Sequence, residues 1–145
     1  MSVHRRTVHA SVDRVWSVLA DGWLYPLFVV GASRMRDVDP SWPAPGSALH
    51  HSVGSWPLLI DDSTSVVESD PPTRIRLRAR AWPAGEADVT FHLQPRGVDT
   101  EVVIEEDAAS GPAVLVPRPL RAPLLDWRNS ETLRRLAYVV EGRTD

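Results

Sequence analysis

Glu106 and His51 are the side chains that pattern alone places best for acid–base chemistry. Thr100, Val102 and Ile104 alternate with Glu101 and Glu105, as a half-buried strand does, and one further step puts Glu106 on the apolar side. A carboxylate there is either a strand-end residue in solvent or a group facing an internal cavity. In a cavity, desolvation would raise its pKa and let it serve as acid or base. His50 and His51 are neighbours on another strand, so only one points inward; Leu49 and Val53 share the apolar side, which selects His51. An inward histidine is either a hydrogen-bonded core residue or an acid–base group. Asp61 and Asp62 pose the same choice, and the pattern leaves it open.

Other chemistries are excluded. His50 and His51 cannot form a two-histidine metal site from opposite faces, and His4, His9 and His92 lack ligand spacing with a carboxylate, so no metal is expected. The chain has no cysteine, which removes thiolate nucleophiles, disulfides and zinc–thiolate sites. It has no glycine-rich phosphate loop, no nucleophile-elbow serine and no HExxH, and no cofactor is expected. Large rings are more informative. Trp23, Phe28, Trp42, Trp56, Trp82 and Phe91 are many for a chain of 145 residues, and Trp42, Trp56 and Trp82 stand beside prolines or turns, where a cavity would open.

These residues need elements to position them, and the organising one is residues 119–142. Pro123 reads as the first helical turn and Gly142 as the stop. On a helical wheel Leu125, Thr132, Leu133, Leu136, Val139 and Val140 share one face with Asn129. A buried amide must be hydrogen-bonded, so Asn129 bonds either a neighbouring strand or loop or a ligand. Trp127, Glu131, Arg134 and Tyr138 form the opposite stripe, either a plain outer surface or a partner or dimer contact.

Ahead of this helix the pattern is strand, two helices and six strands. Residues 2–9 read as a strand with Arg5 and Arg6 on opposite sides, so at least one lies near an edge. Ser11 caps a helix whose Val12, Val15, Trp16 and Leu19 line one face, and residues 23–30 suit a short second helix or buried turn. Strands follow over 33–38, 46–53, 56–68, 73–81, 87–93 and 100–105, separated by a proline-rich loop at 40–46 and by strong turns. Ile75, Leu77, Ala79 and Ala81 alternate with Arg74, Arg76, Arg78 and Arg80, an arginine row expected to pair with Asp88, Glu101 and Glu105 on neighbouring strands. A sheet with one apolar face must be covered, and only the terminal helix is long enough.

One domain over residues 1–145 is the natural reading of this length. A formal charge of −3, with every basic residue an arginine, offers no global attraction to nucleic acid. No apolar run has signal-peptide or membrane-span length, so a cytoplasmic, soluble protein is expected.

The order and several stretches resemble the START-like, or Bet v 1-like (SRPBCC), superfamily, and within it the polyketide cyclase/dehydrase-type small bacterial proteins. The matching residues are Ala10-Ser11-Val12 with Val15-Trp16 and Leu19-Ala20-Asp21, then Val66-Val67-Glu68-Ser69-Asp70-Pro71-Pro72-Thr73-Arg74-Ile75, then GVDTEVVI over 97–104, then Arg128 with Leu133, Leu136 and Glu141. They cover nearly the whole chain and are turns, caps and core positions. The resemblance implies an α+β helix-grip fold: a curved seven-stranded antiparallel sheet wrapped around the C-terminal helix, with two short helices after the first strand. It also implies an apolar cavity for lipid- or polyketide-like ligands. Trp23, Phe28, Trp42, His51, Trp56, Trp82, Phe91, Ile104, Glu106, Asn129 and Leu133 are the candidates to line it. Some members of such a superfamily cyclise or dehydrate; others only bind. A cyclase needs a base for the proton α to a carbonyl and a donor for the enolate oxygen, roles open to Glu106, His51 and Asn129. The readings are a binder of a small hydrophobic ligand, a cyclase/dehydratase, or an interaction module acting through Trp127 and Tyr138 as a monomer or homodimer.

Overall fold

The computed structural model describes residues 2–29, 32–53, 60–81, 85–110 and 118–142. Strand β1 (Ser2–Val8) leads into helix α1 (Val12–Leu19), a 3₁₀ turn (Gly22–Leu24) and helix α2 (Tyr25–Phe28). Six strands follow: β2 (Ala32–Val38), β3 (Ala48–Val53), β4 (Ile60–Asp70), β5 (Arg74–Ala81), β6 (Gly85–Arg96) and β7 (Asp99–Ser110). Helix α3 (Arg118–Gly142) closes the chain. The seven strands form one sheet in the order β1-β7-β6-β5-β4-β3-β2, every pairing antiparallel. This is the helix-grip architecture expected from the sequence.

Local chemistry explains the boundaries. Ser11 Oγ accepts the Arg14 N–H at 3.3 Å and caps α1, with Asp13 in the first turn. Asp21 Oδ1 accepts the Trp23 N–H at 3.2 Å and starts the 3₁₀ turn. Gly97, at φ +64°, lets β6 turn into β7 in the left-handed region. Being an edge strand, β1 leaves both Arg5 and Arg6 exposed. The terminal helix departs from expectation at its start. Pro119 occupies the first turn, and Pro123 falls further in, where its ring forfeits one ladder bond. A 25-residue helix packed along its later turns tolerates that loss.

The core lies between the inner face of the sheet and α3. Leu49, Val66, Ile75, Leu77, Phe91, Leu93, Val102 and Ile104 meet Leu133, Leu136, Ala137 and Val140, with Val15, Val18, Leu19 and Phe28 closing one end. Thr132 and Asn129 are buried in the same α3 stripe, as the wheel required; the side chain of Leu125 lies outside the described residues. Gly22 is where the 3₁₀ turn comes closest to the sheet. A Cβ there would collide with Leu49 Cδ2 and stand 2.8 Å from Val38 Cγ1. Gly22→Ala is therefore expected to cost about 1–3 kcal/mol, read as a lowered denaturant midpoint, because Leu49 is fully buried and Val38 is stiff. An unchanged midpoint would mean the turn lifts freely off the sheet.

The outer face carries the arginine row. Arg76 Nη2 donates to Asp88 Oδ2 at 2.8 Å and Arg78 Nε to Asp88 Oδ1 at 2.9 Å, while Arg74 pairs with Glu68 and Asp70. The expected pairing with Glu101 and Glu105 is corrected. Both lie on β7, which β6 separates from β5, so Glu101 meets Arg5 and Arg96 and Glu105 meets His92. The hydrogen bond from Arg78, with further help from Arg76, holds the Asp88 carboxyl below its ordinary range against partial desolvation. A depressed carboxyl contributes stability that is present above the unfolded pKa, near 4, and lost as pH falls through the folded value. Asp88→Asn should thus shrink the stability lost between neutral pH and pH ~3 by about 1 kcal/mol, measured by urea unfolding at both pH values. Equal losses in the two proteins would rule the contribution out.

Candidate functional site

The inner face of the sheet holds polar groups that an apolar core does not need. On β3, Leu49 and His51 point inward, and the β3–β4 register sets Thr64 opposite Leu49. His51 Nε2 and Thr64 Oγ1 are 2.9 Å apart, the donor being set by the histidine tautomer. Helix α2 delivers Tyr25, whose ring stacks on His51 with centroids 5.9 Å apart and meets Phe28 edge-on at 5.7 Å. The Tyr25 hydroxyl also lies near Thr64. Burial pushes the Tyr25 phenol up, while Thr64 and the positive charge of Arg128 pull it down.

Across the interior, α3 contributes Arg128 and its neighbour Asn129. Arg128 Nη2 donates to Glu106 Oε1 and lies against Oε2, tying α3 to β7. Glu106 is 2% exposed, its place on the inner face being set by the register with Val89 of β6. The Arg128 side chain is 37% exposed. Desolvation lowers the Arg128 pKa and Tyr25 pulls the other way; the Glu106 carboxylate against it keeps the guanidinium charged. Asn129 is buried and makes a contact within the protein. The result is an ion pair at one side of the interior and a Tyr25–Thr64–His51 cluster at the other, joined through the Tyr25–Arg128 approach. Such a set can orient a polar oxygen, polarise a carbonyl or pass a proton.

Glu106, His51 and Asn129 are thus buried on the inner side. Phe28, Phe91, Ile104 and Leu133 are buried in the core around them. Trp42 is half-buried, and its indole N–H donates to the Leu19 carbonyl at 3.2 Å, fastening the proline-rich loop to the end of α1. Trp23 stands on the surface. Trp56 and Trp82 lie outside the described residues, as do the side chains of Asp61 and Asp62, although the register sets Asp62 opposite His51. Tyr25, Thr64 and Arg128 were not among the sequence candidates. Thr64 had a signal in the alternation it shares with Val66, and Arg128 in its place beside Asn129. Tyr25 had none, hidden in an apolar run.

The outer face of α3 leaves Trp127 58% and Tyr138 79% exposed. Between them Glu131, gripped by Arg134 and Arg135, has its carboxyl lowered to about 2. No described helix is long and apolar enough to cross a membrane.

No family model matches the sequence, and no curated protein matches it. Solved structures do match in fold. A protein from Rhodobacter sphaeroides superimposes with a TM-score of 0.74 at 21% identity, over 98% of this chain and 92% of that one. Ara h 8.0201 gives a TM-score of 0.74 at 10% identity, over 97% of each chain. The di-domain ARO/CYC StfQ from the steffimycin biosynthetic pathway gives 0.73 at 12% identity, over 96% of this chain and 49% of that one.

Proposed function

We propose that this chain, which has the START-like, Bet v 1-like helix-grip fold, binds a small hydrophobic ligand between its sheet and α3, acting in the cytoplasm as one ligand-binding domain. The observation that carries the reading is the burial of Glu106, His51 and Thr64 from the sheet, Tyr25 from α2 and Asn129 from α3 in one interior amid apolar side chains. Each such group costs free energy unless it is paired, and an apolar core of the same shape would be at least as stable. Polar groups placed among apolar walls are what a pocket uses to orient a mostly apolar ligand. The ligand is lipid- or polyketide-like.

A second reading, a cyclase or dehydratase of polyketide-like substrates, draws support from the Tyr25–Thr64–His51 cluster. There His51 is the acid–base group, since the ion pair with Arg128 occupies Glu106. Native mass spectrometry of freshly purified protein, with the released small molecules identified, tests the first reading. Retention of an apolar molecule, lost in Leu133→Trp, is the expected result. An empty protein that also takes up no neutral apolar dye would sink it.

A further inference from the structure

Arg128 spends one of its nitrogens on Glu106 and keeps the others. Both contacts to the carboxylate come from Nη2, and among the described residues Nε and Nη1 have no protein partner. The Arg128 side chain as a whole is 37% exposed and Glu106 only 2%, so of the two it is Arg128 that a ligand can meet. A ligand therefore meets the guanidinium edge and feels the carboxylate only through it. The pair is already neutral in sum. A neutral acceptor, such as a ketone or ester oxygen, gains a charge-assisted hydrogen bond from Arg128 at no cost in net charge. A carboxylate or phosphate would leave an unbalanced anion beside a buried one, where like charges repel far more than in water.

We propose that Glu106 is a specificity-determining residue that acts through Arg128. By neutralising the guanidinium from inside the protein, it excludes acidic ligands and admits neutral carbonyl compounds. The proposal rests on the interior binding function argued above and names the ligand chemistry that function would accept. Glu106 touches no ligand in this scheme; it is a positioning and charge-balancing residue, so its test must read charge selectivity rather than affinity alone.

The experiment compares two probes of nearly equal shape, acetylnaphthalene and naphthoate, by calorimetry on the full chain at neutral pH, with a neutral dye such as Nile red as a report of the apolar interior. Wild type should bind the ketone at least about tenfold tighter than the carboxylate. Glu106→Gln keeps the shape and removes the charge, so it should collapse or reverse that ratio, with the carboxylate gaining affinity. Glu106→Asp should retain the preference for the ketone. A wild type that prefers the carboxylate or binds the two alike overturns the proposal, and so does a folded Glu106→Gln protein with an unchanged ratio. If Glu106→Gln does not fold, the wild-type ratio decides. Uptake of the dye with neither probe bound overturns this assignment alone; uptake of none of the three overturns the binding function itself.

Discussion

Arg128→Met is expected to destabilise the protein by about 3 kcal/mol at neutral pH. The substitution nearly preserves volume and removes the only described partner of a carboxylate that is 2% exposed. The loss is therefore chiefly the cost of a buried, uncompensated Glu106 and not the net value of the ion pair. The effect belongs at the lower end of the usual range because the Arg128 side chain is itself 37% exposed. Two readouts separate this cause from simple misfolding. First, Arg128→Met should recover part of its deficit as pH is lowered, because protonating Glu106 removes the buried charge. Second, adding Glu106→Gln to Arg128→Met should restore most of the stability, an interaction energy of about 2 kcal/mol in a double-mutant cycle. Urea unfolding of the four proteins measures both. Additive losses in the cycle would show that Arg128 and Glu106 do not depend on each other.

That pair also marks how far the sequence could be read. The sheet was legible because its strands alternate strictly: Ile75 and Leu77 against Arg74 and Arg76 need no tertiary information to be assigned to faces. The inward placement of Glu106 and His51 came from the same parity, and α3 from its 3.6-residue stripe. Partner choice was less legible. Asp88 could be matched to the arginine row because β6 follows β5 directly, but Glu101 and Glu105 were matched to it as well, since charge sign alone ignores the strand that lies between. Arg128 was visible only as a motif residue: a charged residue one step from a buried stripe reads as solvated until the strand opposite is known to carry Glu106. Tyr25 was invisible, since nothing in an apolar run distinguishes a ring that fills the core from one whose hydroxyl must find Thr64. The helix start was misplaced for a different reason. Two prolines four residues apart both fit a first turn, and only packing chooses between them.

Phe91→Ala should cost about 3–4 kcal/mol, whereas Tyr138→Ala on the outer face of α3 should change stability by less than about 0.5 kcal/mol. The contrast follows from the grip. Phe91 lies on the interior strand β6, directly opposite Ile75 on β5 and Ile104 on β7, and is 2% exposed. Truncating it removes a ring from the layer that faces Leu133 and Leu136 and leaves a void the sheet cannot collapse into, because its neighbours are held by ladders on both sides. Tyr138 is 79% exposed, so its ring is largely hydrated in both folded and unfolded chains. The size of the Phe91 effect also bears on function. A ring packed on all sides incurs both the transfer loss and the cavity loss. A ring lining a pre-existing ligand space incurs mainly the first, about 2 kcal/mol, and an added apolar ligand should then restabilise Phe91→Ala more than wild type because the enlarged space takes more of it. Chemical denaturation with and without acetylnaphthalene resolves the two. A loss near 4 kcal/mol with no ligand-dependent recovery assigns Phe91 to the packed core and moves the ligand toward Arg128 and Tyr25. A loss near 2 kcal/mol with recovery makes Phe91 part of the wall.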